Sequence, residues 1–192
     1  MNINHTHHYV GIGASAGGLE AIFQLLHYLP TDWDLVLIII LHLPRNYHSQ
    51  QETIVGRHTS LRVKTIENGD VTEKNTIYLL PGGKKLTIQN GILYLNERLP
   101  GEIINKTIDH FFFSLAEDAK ENAIGIILSG TGSDGTKGSH AIEENGGIMI
   151  VQNPTEAQFD GMPKSAIYFD HPDYILNLKD IPGVIKKHIS KG

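Results

Sequence analysis

The sequence contains no cysteine, which removes disulfide staples, thiolate nucleophiles and cysteine-ligated metal centres from consideration. It also lacks a long hydrophobic run. The longest, Leu35 to Leu41, falls far short of the roughly 20 apolar residues a membrane span needs. Residues 1–9 are polar, and no charged head precedes an apolar stretch there, so no signal peptide is read. Clustered positive charge is missing too. The 16 Lys and Arg residues are scattered through a chain of net charge −5, whereas tracking a phosphate backbone needs them gathered on one surface. These absences exclude nucleic acid and membrane insertion as expectations and point to a cytoplasmic protein.

What the chain does contain is 40% hydrophobic and 19% charged residues over 192 positions, enough for a substantial buried core in one domain. Eleven histidines are present, and His5, His7 and His8 crowd the N-terminus. A metal there is one reading, and a frayed, solvated tail is the plainer one.

Hydrophobic periodicity organises the rest. Tyr9 to Ala14 is a short apolar strand running into glycine. From Gly17 to Leu29 the apolar residues Leu19, Ile22, Phe23, Leu26 and Leu29 recur at helical spacing. Leu35 to Leu41 is apolar on both faces, as a central parallel strand requires. Thr107 to Lys120 predicts a second amphipathic helix. Ile124 to Ser129 predicts a strand, followed by a glycine-rich loop and a helix ending at Gly146-Gly147, and Ile148 to Gln152 a further strand. Alternating strands and helices predict an α/β fold with three layers and a mostly parallel, doubly wound sheet. Thr76–Leu80, Lys85–Gln89 and Ile92–Asn96 break the alternation, and Asn90-Gly91 signals a type I′ hairpin. This stretch is expected as a small antiparallel extension at the sheet edge.

In open α/β sheets the chemistry collects beyond the carboxyl ends of the strands. Three such positions carry a serine, a histidine and an aspartate. Gly13-Ala-Ser15-Ala-Gly17 has the form of a nucleophile elbow, in which a sharp strand-to-helix turn exposes the hydroxyl. Ser15 as a helix cap, or Gly11-Ile-Gly13-Ala-Ser-Ala16 as a degenerate dinucleotide turn, are the competing readings. The latter expects an acidic residue at the next strand's end, where this chain has His42. His42, directly after an apolar strand, suits a general base, or merely hydrogen-bonds a loop. Asp134, among Gly130, Gly132 and Gly135, is placed to orient an imidazole, or to cap the helix starting near Thr136. Asp109 and Asp160 are weaker acid candidates. The chain order Ser, His, Asp differs from that of ordinary α/β-hydrolases.

Val10-Gly-Ile-Gly-Ala-Ser-Ala-Gly-Gly18, Leu41-His-Leu-Pro44, Thr107-Ile-Asp-His-Phe-Phe112, Gly125-Ile-Ile-Leu-Ser-Gly-Thr-Gly-Ser-Asp-Gly135 and Asp160-Gly-Met-Pro163 together resemble the catalytic domain of the chemotaxis protein-glutamate methylesterase family, CheB. The resemblance spans about residues 9–185 of a single domain (1–192). It implies hydrolysis of glutamate γ-methyl esters on chemoreceptor helices, releasing methanol, with deamidation of receptor glutamines as a further activity. Carried over residue by residue, Ser15 is the nucleophile, His42 the base and Asp134 the orienting acid. Ala16, Gly17, Thr131, Gly132 and Met162 form the oxyanion and substrate neighbourhood. Ala16 and Thr131 depart from side chains common in the family. That chemistry needs no metal or organic cofactor. Only about nine residues precede the first strand, so a receiver domain of the kind that regulates such esterases is not expected in this chain. The motif wording is nearer to esterase domains fused with methyltransferase or kinase modules, which become expected partners alongside methylated receptors. The rival class is a nucleotide-binding or non-catalytic docking module.

Overall fold

The computed structural model describes residues 7–42, 50–99 and 105–190. Leu43 and Pro44 of the histidine motif, and His5, lie outside the described residues. In chain order the strands and helices are β1 (His8–Ala14), α1 (Gly18–Tyr28), β2 (Leu35–Leu41), α2 (Gln51–Gly56), β3 (Arg62–Thr65), β4 (Asp70–Val71), β5 (Thr76–Leu79), β6 (Lys84–Gln89), β7 (Ile92–Glu97), α3 (Thr107–Ala119), β8 (Ala123–Ile127), α4 (Thr136–Glu144), β9 (Ile148–Gln152), α5 (Gly161–Asp170), β10 (Tyr174–Leu176) and α6 (Ile181–Ile189).

A sheet of seven strands runs in the order β10-β9-β8-β1-β2-β5-β3, with every adjacent pair parallel. The inner strands are largely apolar because both faces are covered, whereas the edge strand β3, Arg62-Val-Lys-Thr65, is not buried. Val36, Ile38 and Ile40 of β2 join the core under α3. Leu35, Leu37 and Ile39 point the other way, into the core shared with α1 and α6. Alternate β2 side chains thus enter opposite cores, and fully burying each isoleucine or leucine contributes about 1.5–3 kcal/mol. Leu29, extended at φ −78° and ψ 124°, ends α1 because the following Pro30 disfavours the helical conformation before it.

Helix α3 lies tightly against β1 at two glycines. A Cβ at Gly11 would lie 2.9 Å from Leu115 Cδ2 and 3.0 Å from Phe111 Cε1, and one at Gly13 only 2.6 Å from Ile108 Cγ2. The two glycines therefore form the slot into which Ile108, Phe111 and Leu115, all fully buried, insert. They lie inside the strand, filled by α3, so the Gly11-Ile-Gly13 pattern is packing chemistry and leaves no gap for a pyrophosphate.

The small antiparallel unit exists, with one reassignment. β6 and β7 pair across Asn90-Gly91, both left-handed at φ 55° and 70°, as a type I′ turn requires. Thr76–Leu79 instead joins the parallel sheet between β2 and β3. All four of its residues are buried, the pattern of a doubly covered strand. The antiparallel sheet, β4-β7-β6, is hydrogen-bonded separately from the large one and packs on α3. Ile88 N–H donates to Ser114 Oγ at 3.1 Å and Gly91 N–H to Asp118 Oδ2 at 3.1 Å, while Leu86, Ile88 and Leu93 close the core beneath.

Candidate active site

The strand order reverses direction around β1, whose neighbours are β8 on one side and β2 on the other. Such a switch point opens a crevice at the strands' carboxyl ends, where the three singled-out residues lie. After β1 the chain turns through Ser15, Ala16 and Gly17. Ser15 N–H donates to Ser129 O at 3.0 Å and Gly18 N–H to Ser15 O at 2.9 Å, with Gly17 left-handed at φ 69°. Ser15 makes no side-chain cap of α1. Among the described residues the N–H groups of Ala16 and Gly17 donate to no acceptor, so the start of α1 offers two donors to a developing oxyanion.

Sheet register sets the histidine beside the serine. Ala14 pairs with Leu41, and His42 N–H donates to Ala14 O at 3.0 Å. Ser15 and His42 are therefore the next residues on neighbouring strands, which run about 4.8 Å apart. The His42 Nε2 lies 2.7 Å from Asp134 Oδ2, with side-chain exposures of 14% and 3%. Nδ1 is the ring nitrogen not engaged by Asp134.

Asp134 does cap a helix, though not the one following it. Its Oδ2 accepts from Ile108 N–H at 2.9 Å and its Oδ1 from Asp109 N–H at 3.0 Å, both in the first turn of α3. In exchange, Oδ1 of Asp109 accepts from Lys137 and Gly138 N–H, each at 3.0 Å, capping α4. Two helix N-termini thus trade carboxylates, and their free N–H groups and dipoles complement the buried charges. Asp109 is occupied structurally. Asp160, at the start of α5, is half exposed and pairs with Lys164 at 2.6 Å.

Gly130 brings the remaining pieces together. A Cβ there would collide with Met162 Sδ and lie 3.0 Å from Ser15 Cβ. Met162 N–H donates to Gly130 O at 2.9 Å, and the methionine is 1% exposed. Gly132 is left-handed at φ 87°, and its carbonyl accepts from Ser165 Oγ at 3.0 Å. Ala16 and Gly17 of the serine turn, Gly132 of the acid loop and Met162 in the first turn of α5 hence gather near Ser15, with Thr131 between two of the contacts. A cleft of about 550 Å³ adjoins the acid loop, lined by Lys106, Phe113, Ser133, Thr136, Lys137, His140 and Phe169.

One residue in this assembly was missed from sequence. Ser129 is buried, and its hydroxyl donates to Ala16 O at 2.8 Å while accepting from Phe159 N–H at 3.0 Å. Its N–H donates to Gln152 Oε1 at 2.9 Å. A single side chain therefore ties the serine turn, the acid loop and the β9–α5 loop. Its position directly before Gly130, at a strand end, was the only available signal.

Comparison with known proteins agrees on one family. The family model described as CheB methylesterase matches residues 10–185. The protein-glutamate methylesterase/protein-glutamine glutaminase 1 of Geobacter sulfurreducens is 31% identical over 186 residues, covering 94% of this chain and 51% of that protein. A putative protein of the same description from Leptospira interrogans is 31% identical over 173 residues, covering 88% of this chain and 89% of its own length. An uncharacterised 104.1 kDa Rhodobacter capsulatus protein is 36% identical over 129 residues, which are 13% of it. The crystal structure of the Thermotoga maritima CheB methylesterase catalytic domain superposes with a TM-score of 0.85 at 28% identity, covering 97% of this chain and all of that one. The chain spans about half the length of several curated relatives, 51% of one and 52% of another.

Proposed function

This chain belongs to the CheB methylesterase family, and on that premise we propose that it is a protein-glutamate methylesterase. Its substrates are glutamate γ-methyl esters on chemoreceptor helices, and glutamine deamidation by the same site is a secondary activity. The reading rests above all on the 2.7 Å contact between His42 Nε2 and Asp134 Oδ2, made at the strand end next to Ser15.

In the proposed mechanism Ser15 Oγ attacks the ester carbonyl carbon as its proton passes to His42 Nδ1. Asp134 holds the ring and stabilises the imidazolium without taking the proton. The assignment of ring nitrogens is the reverse of the usual serine-protease pattern, in which Nδ1 faces the aspartate. N–H groups of Ala16 and Gly17 stabilise the oxyanion, each such donor being worth about 3 kcal/mol. As the tetrahedral intermediate collapses, His42 returns the proton to the departing methoxide, giving methanol and an acyl-enzyme. Water, deprotonated by His42, then releases the glutamate carboxylate and restores Ser15. With a glutamine the leaving group is ammonia.

The cleft beside the acid loop supports a protein substrate. It offers two phenylalanines flanked by Lys106 and Lys137, matched to an amphipathic, acidic helix. Among the described residues no helix is long and apolar enough to cross a membrane, so the esterase would meet its receptors at their soluble helices.

The test is methanol release from methylated chemoreceptor membranes. The expected result is methanol release by the chain and a kcat lowered by about 10⁴-fold or more in Ser15→Ala. Retained turnover in folded Ser15→Ala would remove the serine mechanism. No release by folded wild-type chain, supplied with any domain its longer relatives carry, would remove the substrate assignment and leave a docking role.

A further inference from the structure

Away from the serine site, α4 and α5 bring three metal-ligating side chains together. His140 and Glu143 are three residues apart on α4 and so share a face, and Asp170 ends α5. One ligand atom from each lies within 4.8 Å of the others. The Asp170 side chain is only 1% exposed, with His140 Nδ1 3.3 Å from its Oδ1. Neither of its oxygens makes a hydrogen bond of normal geometry. A buried carboxylate left this way is costly.

We propose that His140, Glu143 and Asp170 form a binding site for one divalent transition-metal cation of the zinc class, clamping α4 to the end of α5. The donor set selects the class. One imidazole nitrogen with two carboxylate oxygens suits zinc, whereas calcium and magnesium take oxygen ligands alone. Around a tetrahedral zinc with bonds near 2.1 Å, ligand atoms stand about 3.4 Å apart. His140 Nδ1 and Asp170 Oδ1 already stand at about that spacing, 3.3 Å, and the His140 side chain is 63% exposed and has room to adjust. A fourth position then faces solvent and takes water. The site is a structural clamp at the edge of the cleft that His140 also lines: α4 begins two residues after Asp134 and α5 carries Met162, so the cation would tie together the two segments nearest Ser15.

Tag-free protein stripped by a chelator, dialysed and titrated with zinc chloride in a calorimeter tests this, with thermal unfolding measured on the same samples. The expected result is one saturable equivalent and a higher Tm with zinc. His140→Ala, a surface change that leaves the fold intact, and Asp170→Asn should each weaken binding by about tenfold or more. The triple variant His5→Ala, His7→Ala, His8→Ala should keep it. Absence of saturable binding would overturn the proposal and leave His140 as a contact between Asp170 and Glu144. So would binding unaffected by His140→Ala, or binding lost only in the N-terminal variant.

Discussion

Asp134 holds four hydrogen-bonding partners on two oxygens: His42, Ile108 N–H, Asp109 N–H and Gly135 N–H. An asparagine keeps the shape but turns an NH₂ group toward one set of donors. Asp134→Asn should therefore lower kcat by roughly 10³–10⁴-fold and cost about 1–3 kcal/mol of stability, read from initial rates and urea unfolding. An unchanged kcat would mean that the carboxylate only caps α3. Ser129 makes a different case, since it touches the serine turn through Ala16 O and never the substrate. Ser129→Ala leaves Phe159 N–H and Ala16 O without their partner, at a cost of about 1–3 kcal/mol. If the hydroxyl positions Ser15, kcat falls by about 10–100-fold while KM moves little. A lower Tm with unchanged kcat would assign it to stability alone.

Between elements, the decisive contact is α3 lying against the glycines of β1. The approach delivers the N-terminal turn of α3 to Asp134, so packing and catalysis share one interface. Gly13→Ala should destabilise by about 1–3 kcal/mol, because its methyl would stand 2.6 Å from Ile108 Cγ2 with no open space to enter. Removing the Cγ2 methyl in Gly13→Ala/Ile108→Leu should recover part of both stability and activity. Failure of the second change to rescue either would place the strain elsewhere. The exchange of caps between α3 and α4 belongs to this scale too. A carboxylate three residues into a helix is ordinarily read as complementing its own dipole, yet Asp109 serves the neighbouring helix.

Across the whole molecule the two ends of the sheet are separate in kind. Ser15 follows the carboxyl end of β1, while His8 opens the same strand beside His188 of α6, ring centroids 5.9 Å apart. The Nδ1 of His8 is buried without a hydrogen-bond partner. Burial first, and the facing His188 second, hold its pKa below the ordinary histidine value of 6.5. A depressed histidine favours the folded state while neutral, so its contribution is present above about pH 6.5 and is lost as pH falls below that toward the folded pKa. His8→Gln should flatten the decline in urea midpoint between pH 7.5 and 5.5 without altering esterase kcat at pH 7.5. An unchanged decline would show that other groups carry it.

The sequence by itself determined the parallel α/β frame, because strands buried on both faces and helices with one apolar stripe are local patterns legible in any window. It also placed Ser15 and His42 at strand ends, since each directly follows an apolar run. The assignment of Thr76–Leu79 to the large sheet was beyond it: a run of four residues carries no mark of which sheet will accept its hydrogen bonds. Only tertiary structure decided that Asp134 meets His42, 92 residues away, and that Gly11 and Gly13 admit α3. The same holds for Ser129 as the tie between three loops and for Asp170 facing His140. The physical reason is common to all four. Each depends on pairing between segments distant in sequence, fixed by sheet register and core packing, and neither quantity is written in the local alternation of polar and apolar residues.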